Sequence, residues 1–223
     1  MPPRKHHQEI EIKLPVPDIT AIRKRLRSLH AREITSRTHE SNTLYDTPGG
    51  ELRRRGQLIR IRIEQPAQAR GKKSPSHDPS AVLTFKGPQR SARRDPKSSV
   101  RGTNLSRFKI KEEAEVTVSS AMAATRILSA LGLRSGFRYE KFRTTYRLSS
   151  VPQVKIELDE TPVGTFLELE GTASAIDRAA TLLGYNRSDY STATYGSLYL
   201  AECRRNGHKP GNMLFPPTKK SRK

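Results

Sequence analysis

Glu9-Ile10-Glu11-Ile12-Lys13 alternates charge and aliphatic carbon without a break. On a strand successive side chains point to opposite faces. Glu9, Glu11 and Lys13 therefore share one face, and Ile10, Ile12 and Leu14 share the other. Alone, this is a half-buried strand whose charged face meets water. The same device recurs down the chain. Arg60 and Arg62, Glu113 and Glu115, Lys141 and Arg143, and Glu168 and Glu170 each stand two apart, with a residue of the other face between them. A face that only had to meet water would need polar residues, and Ser, Thr or Gln would serve. Repeated carboxylate pairs and cation pairs are what a barrel presents when its inside binds metal and phosphate.

The pattern between these pairs predicts eight strands and about four helices. After the first strand, Pro15 and Pro17 break the pairing and Asp18 caps a helix over roughly 19–31. Strands are expected at 39–46, 58–64, 81–86, 109–118, 139–148, 154–160 and 166–170. Thr47-Pro48-Gly49-Gly50 and Thr161-Pro162-Val163-Gly164 are turns. Ser119 or Ser120 starts a helix that runs to Leu131, ended by Gly132. Ser174 with Asp177 reads as a capping box opening a helix that stops at Gly184, and a last helix covers about 191–205. A helix follows the first strand of each four-strand half, which suggests a weak internal repeat. The expected organisation is a disordered basic N-terminus (1–7), one domain (8–205) with mobile basic loops near 65–80 and 87–108, and a disordered basic tail (206–223).

The chain has 223 residues, 33% hydrophobic, with a formal net charge of +20. That charge points towards nucleic acid until it is located. Residues 1–8, 65–80, 87–108 and 203–223 carry +2, +2, +5 and +7, which leaves the rest of the chain near +4. The surplus lies in expected loops and tails, where it supports weak, salt-sensitive nucleic-acid binding. The single Cys203 excludes an intramolecular disulfide and suits a reducing, cytoplasmic setting. No apolar run reaches the length of a membrane span, and Met-Pro-Pro-Arg-Lys-His-His has no apolar signal core.

Eight antiparallel strands can close into a barrel with room inside for side chains or one small ligand. Alternation places Glu9, Glu11, Lys13, Arg60, Arg62, Lys86, Glu113, Glu115, Lys141, Arg143, Asp159, Glu168 and Glu170 inside. Buried charges must be paired or neutralised by ions. Carboxylate clusters suit hard cations such as Mg2+ or Mn2+, and Arg and Lys clusters suit phosphate oxygens. A polyphosphate bound with divalent metal answers both.

At this point the chain resembles the CYTH family of triphosphate tunnel metalloenzymes. The carriers are Glu-x-Glu-x-Lys at 9–13, Arg-x-Arg at 60–62, Thr-x-Lys at 84–86, Lys-x-Glu-x-Glu at 111–115, Lys-x-Arg at 141–143, Leu-Asp at 158–159 and Gly-x-Phe-x-Glu-x-Glu at 164–170, in family order. The resemblance implies an α+β, mainly β fold: an eight-stranded antiparallel closed tunnel with helices packed outside. It implies metal ligands at Glu9, Glu11, Asp159, Glu168 and Glu170 for Mg2+ or Mn2+, two ions when substrate is bound. It implies phosphate-binding cations at Lys13, Arg60, Arg62, Lys86, Lys141 and Arg143. It also implies a catalytic set of Lys13, Glu113 and Glu115, the two acids serving a second metal or the attacking water. The fifth-strand motif opens with Lys111 where the family usually has Arg, so Lys111 stays outside this set.

Two chemistries fit such a lumen. A triphosphatase hydrolyses inorganic, nucleoside or thiamine triphosphate. A class IV adenylyl cyclase converts ATP to cyclic AMP and pyrophosphate. The hydrolase reading leads. Thiamine triphosphate is the least supported substrate: Leu58 stands where vertebrate thiamine triphosphatases resemble one another in a Trp, and the chain has no Trp. A third reading is a non-catalytic binder of polyphosphate or RNA. The basic segments lack the interleaved aromatics that single-strand binders use for stacking. The sequence leaves open whether the chain acts alone or as a homodimer.

Overall fold

The computed structural model describes residues 7–67, 80–89 and 107–217, with nothing placed for the side chains of His7 and Gln8. The expected N-terminal tail and most of both basic loops lie outside these residues. Eight antiparallel strands form the barrel: β1 (His7–Pro15), β2 (Arg32–Asp46), β3 (Leu58–Pro66), β4 (Ala81–Lys86), β5 (Lys109–Val118), β6 (Arg134–Leu148), β7 (Val151–Thr161) and β8 (Gly164–Gly171). Around the closed barrel the order is β1-β5-β4-β3-β2-β6-β7-β8. β1 pairs with β5 and β2 pairs with β6, so equivalent strands of the two halves meet at both seams.

Alternation separates two environments. The outward residues Ile12 and Leu14 of β1, Ile156 and Leu158 of β7 and Leu167 and Leu169 of β8 form one core with α1 (Ile19–Ser28) and α4 (Ala173–Leu183). The outward Ile61 of β3 and Ala81 of β4 form a second with α3 (Ala121–Ala130). The apolar core therefore lies outside the barrel, under the helices, and the charges lie within it. Gly171 is required where β8 ends, because a Cβ there would sit 2.4 Å from the Gln153 carbonyl oxygen.

Several boundaries move. α1 ends at Ser28 rather than 31, and His30 turns the chain with φ 51. β2 begins at Arg32 and β6 at Arg134, seven and five residues earlier than expected, because the two pair along nearly their whole lengths and extend each other past the weak local pattern. A one-turn helix, α2 (Glu51–Arg54), follows the Gly49-Gly50 turn. α4 is capped by Thr172, not Ser174, and Asp177 instead binds Arg187 and accepts from the Tyr190 hydroxyl at 2.8 Å. α5 (Tyr195–Arg205) is capped by Thr194 and starts four residues later than expected.

The expected disordered tail from Asn206 is corrected over its first part. Met213 is 1% exposed, packed with Tyr139 and Tyr195. Its N–H donates to the Arg138 carbonyl (3.0 Å) and its carbonyl accepts from Glu140 N–H (2.9 Å). The N-terminal half of β6 lies beyond its pairing with β7, and residues 211–215 run along that edge. Among the described residues no helix is long and apolar enough to cross a membrane.

Candidate active site

The barrel encloses a cavity of about 1090 Å3. Twelve of the thirteen residues expected inside line it: Glu9, Glu11, Lys13, Arg60, Arg62, Lys86, Glu113, Glu115, Lys141, Arg143, Glu168 and Glu170. Acids and bases nearly balance along the wall, so the chain's surplus positive charge lies elsewhere.

One side of the lumen comes from β1, β8, β5 and β4. Glu11 faces Glu170, and Lys13 faces Glu168, across the β1–β8 pairing. The Lys13 Nζ stands 2.6 Å from Glu168 and 3.7 Å from Glu11. Lys86 Nζ donates to Glu9 at 2.6 Å and lies 3.2 Å from Glu113. Lys109 donates to Glu11, and Lys155 pairs with Glu170 at 2.5 Å. Burial pushes Glu11 up, but Lys13 and Lys109 outweigh it and hold the carboxyl well below its ordinary range. Glu168 is likewise held low against its burial by Lys13, Lys141 and Arg143. Glu113 goes the other way: burial and the neighbouring Glu9 push it up to about 8.

The other side comes from β3, β2, β6 and β7. Arg60 donates to Thr84 and Glu115, both at 3.2 Å, and to the Tyr139 hydroxyl at 3.4 Å. Arg62 pairs with Glu64 at 2.9 Å. Arg143 bridges Glu157 (2.5 Å), Asp159 (2.7 and 2.6 Å) and Glu168. Burial pushes the Glu157 carboxyl up and, with Glu168 and Asp159 close by, outweighs the pull of Arg143 and Lys155. Lys141 donates to Asp159 at 2.9 Å and lies 3.4 Å from Glu40. Burial raises Glu40, yet Lys141 and Arg143 bring it down to about 2.

Asp159, expected among the metal ligands, is set apart from the other four by its burial. It is 0% exposed and is absent from the cavity wall. Its oxygens accept from Lys141, Arg143 and the Tyr195 hydroxyl. In this arrangement it anchors cations. The sequence reading also missed Glu40, Lys109, Glu157, Lys155 and Phe137, all on the wall. Lys109 and Lys155 extend runs of alternating charge that were already visible, and Lys111 lines the cavity beside them. Phe137 follows by alternation once β6 is given its full length, and Glu40 lies within the strand already expected at 39–46.

The donor set suits a hard cation: Glu9, Glu11, Glu168 and Glu170 offer only oxygen. Among the described residues no three acids, histidines or cysteines converge as a preformed cage, and ammonium groups lie against these carboxylates.

The sequence profile of the CYTH domain matches residues 7–190. The chain belongs to the CYTH family. Solved structures share the fold. A candidate adenylate cyclase of Vibrio parahaemolyticus has a TM-score of 0.66 at 16% identity, over 87% of this chain and 98% of that one. The PH1819 protein of Pyrococcus horikoshii OT3 has a TM-score of 0.63 at 21% identity, over 87% and 99%. The Hippeastrum candidate adenylyl cyclase HpAC1, for which a dominant triphosphatase activity is stated, has a TM-score of 0.54 at 19% identity, over 91% and 97%. At these identities the likeness is one of fold. No curated protein matches this CYTH chain in sequence.

Proposed function

We propose that the chain is a divalent-metal-dependent hydrolase of phosphoanhydride bonds in a triphosphate-containing substrate. The observation that carries this reading is one shared cavity in which six phosphate-seeking cations (Lys13, Arg60, Arg62, Lys86, Lys141 and Arg143) face the carboxylates of Glu9, Glu11, Glu168 and Glu170. In the free protein those cations are held by internal acids. A polyphosphate offers oxygens of the same kind and replaces the displaceable ones, while charge-assisted bonds from several cations grip the chain without help from an organic group.

Glu9, Glu11, Glu168 and Glu170 would hold Mg2+ or Mn2+, in competition with the ammonium groups now against them. Bound metal would supply charge neutralisation across the phosphate oxygens. Lys13, gripped by Glu168 and Glu11, stays charged and is set to meet the reacting phosphoryl group. Glu113 and Glu115 divide the acid–base work. Glu115 is held low, against its burial, by Thr84 and then Arg62 and Arg60, and can accept a hydrogen bond from the attacking water. Glu113 keeps its proton near neutral pH and can donate to a phosphate oxygen. The triphosphatase activity stated for the Hippeastrum protein agrees with this reading.

The class IV cyclase reading has one observation in its favour. Phe137 stacks on Tyr139 with ring centroids 6.0 Å apart and 23° between planes, and both line the cavity with Leu44 and Leu58. That surface could carry an adenine. Outside the lumen, the surplus of positive charge supports weak contact with nucleic acid, lost as salt rises. The test of the main reading is phosphate release from inorganic triphosphate with Mg2+, with Mn2+ and with chelator. The proposal expects release with either metal and none with chelator; metal-independent release, or none, overturns it.

A further inference from the structure

We infer that Tyr195 is a positioning residue of the lumen: its hydroxyl on Asp159, and its ring against Lys13 and Lys141, fix the cations that grip the phosphate chain. The inference rests on the phosphate-binding reading of the cavity. Tyr195 lies beyond the stretch that the CYTH profile matches. The paired charges of the lumen project from strands, whereas Tyr195 projects from the first residue of α5. Its place is built. Lys13 exchanges both backbone hydrogen bonds with Ser191 (2.8 and 2.9 Å), which seats the chain before α5 against β1. Thr194 caps the helix by accepting from Ser197 N–H at 3.1 Å. Phe166 meets the Tyr195 ring edge-on at 5.8 Å, and Met213 packs behind it.

The chemistry follows from hydrogen-bond supply. A phenol has one proton to give, and Tyr195 gives it to Asp159 Oδ2 at 2.7 Å. The same oxygen accepts from Lys141 and Arg143, and Oδ1 accepts from Arg143. Glu40, Glu157 and Glu168 also hold these cations, but they line the cavity and can be displaced by substrate. Asp159 is enclosed and cannot be. Tyr195 therefore steadies the one carboxylate that keeps Lys141 and Arg143 aimed when phosphate arrives. The ring adds a second hold, with Lys13 Nζ 4.8 Å and Lys141 Nζ 5.3 Å from its centroid, inside the reach of cation–π attraction. The phenol stays a donor over the working range, because burial and the charges of Asp159 and Glu168 push its ionisation well above normal.

Tyr195→Phe removes the hydroxyl and keeps the ring. The test measures inorganic triphosphate binding by calorimetry in chelator, and Mg2+-dependent kinetics. The expected outcome is Kd and KM raised about tenfold, with kcat within about twofold and a thermal midpoint lowered by a few degrees at most, because the bond to the charged group is lost in the ligand-free protein as well. Tyr195→Leu, which also removes the ring, must weaken binding further. In an Asp159→Asn background the Tyr195→Phe loss must largely vanish, since both act through one contact. Wild-type affinity in Tyr195→Phe, or losses that add fully to those of Asp159→Asn, overturn the inference. A wild-type protein that binds triphosphate in a Tyr195-dependent way but releases no phosphate keeps the inference and removes the hydrolase reading. A wild-type protein that does not bind triphosphate removes both.

Discussion

Met213→Ala tests whether the C-terminal segment belongs to the barrel. Met213 is almost wholly enclosed, between Tyr139 and Tyr195, and two backbone bonds tie its own position to β6. Arg138 N–H also donates to Asn212 at 2.9 Å, Phe215 N–H to Glu140 at 3.2 Å, and Gly211 N–H to the Tyr199 hydroxyl at 3.1 Å. Those bonds stay in the variant, so the ordering entropy of the segment cancels and the loss is that of the side chain. Truncating a buried Met to Ala costs about 2–5 kcal/mol. The lower half of that range applies, because a strap near the chain's end can settle into part of the gap. For a chain of this size each 1 kcal/mol shifts the thermal midpoint by roughly 2–4 °C, so a drop of about 4–14 °C is expected. Urea unfolding followed by circular dichroism reads the same loss as a lower midpoint at unchanged slope. A change within about 0.5 kcal/mol, the ordinary result at an exposed site, would show that the strap is not seated and that the folded domain ends near Arg205.

Glu170→Gln should abolish metal-dependent turnover. Its pair with Lys155 is partly exposed, so the stability cost should stay below about 1 kcal/mol; full activity at saturating Mg2+ would remove Glu170 from the metal set. Glu40 gives a pH test. Its folded carboxyl, near 2, lies below the ordinary value, so it binds its proton more readily when unfolded. The stability it contributes is fully present above about pH 4.5 and is lost as pH falls through 2. Glu40→Gln should be less stable at pH 7 but lose less on acidification, so the two stability curves converge. Parallel curves would contradict the assignment of Glu40 to the Lys141–Arg143 cluster.

The alternating charge pairs made the barrel legible, because a period of two fixes the face of every residue once one residue is placed. The lumen was legible for the same reason: Glu9, Arg60, Glu113 and Glu168 each belong to a paired motif. Three things were hidden, each with a physical cause. The early reaches of β2 and β6, the latter with Phe137, are each held by the far end of the other strand, a long-range contact with no local signal. Asp159 follows the alternation of an inner-face residue, but packing encloses it. Tyr195 and Met213 reach the site from a helix and a strap, where strand alternation carries no information about direction.

The central claim is a metal-dependent triphosphate hydrolase, and one product analysis tests it most directly. ATP and inorganic triphosphate are each incubated with the pure protein and Mg2+, and the products are separated. The account predicts phosphate and pyrophosphate from triphosphate, a higher kcat/KM for triphosphate than for ATP, and mainly ADP and phosphate from any ATP consumed. Cyclic AMP and pyrophosphate from ATP, with triphosphate left largely uncut, would contradict it and install the cyclase reading in its place.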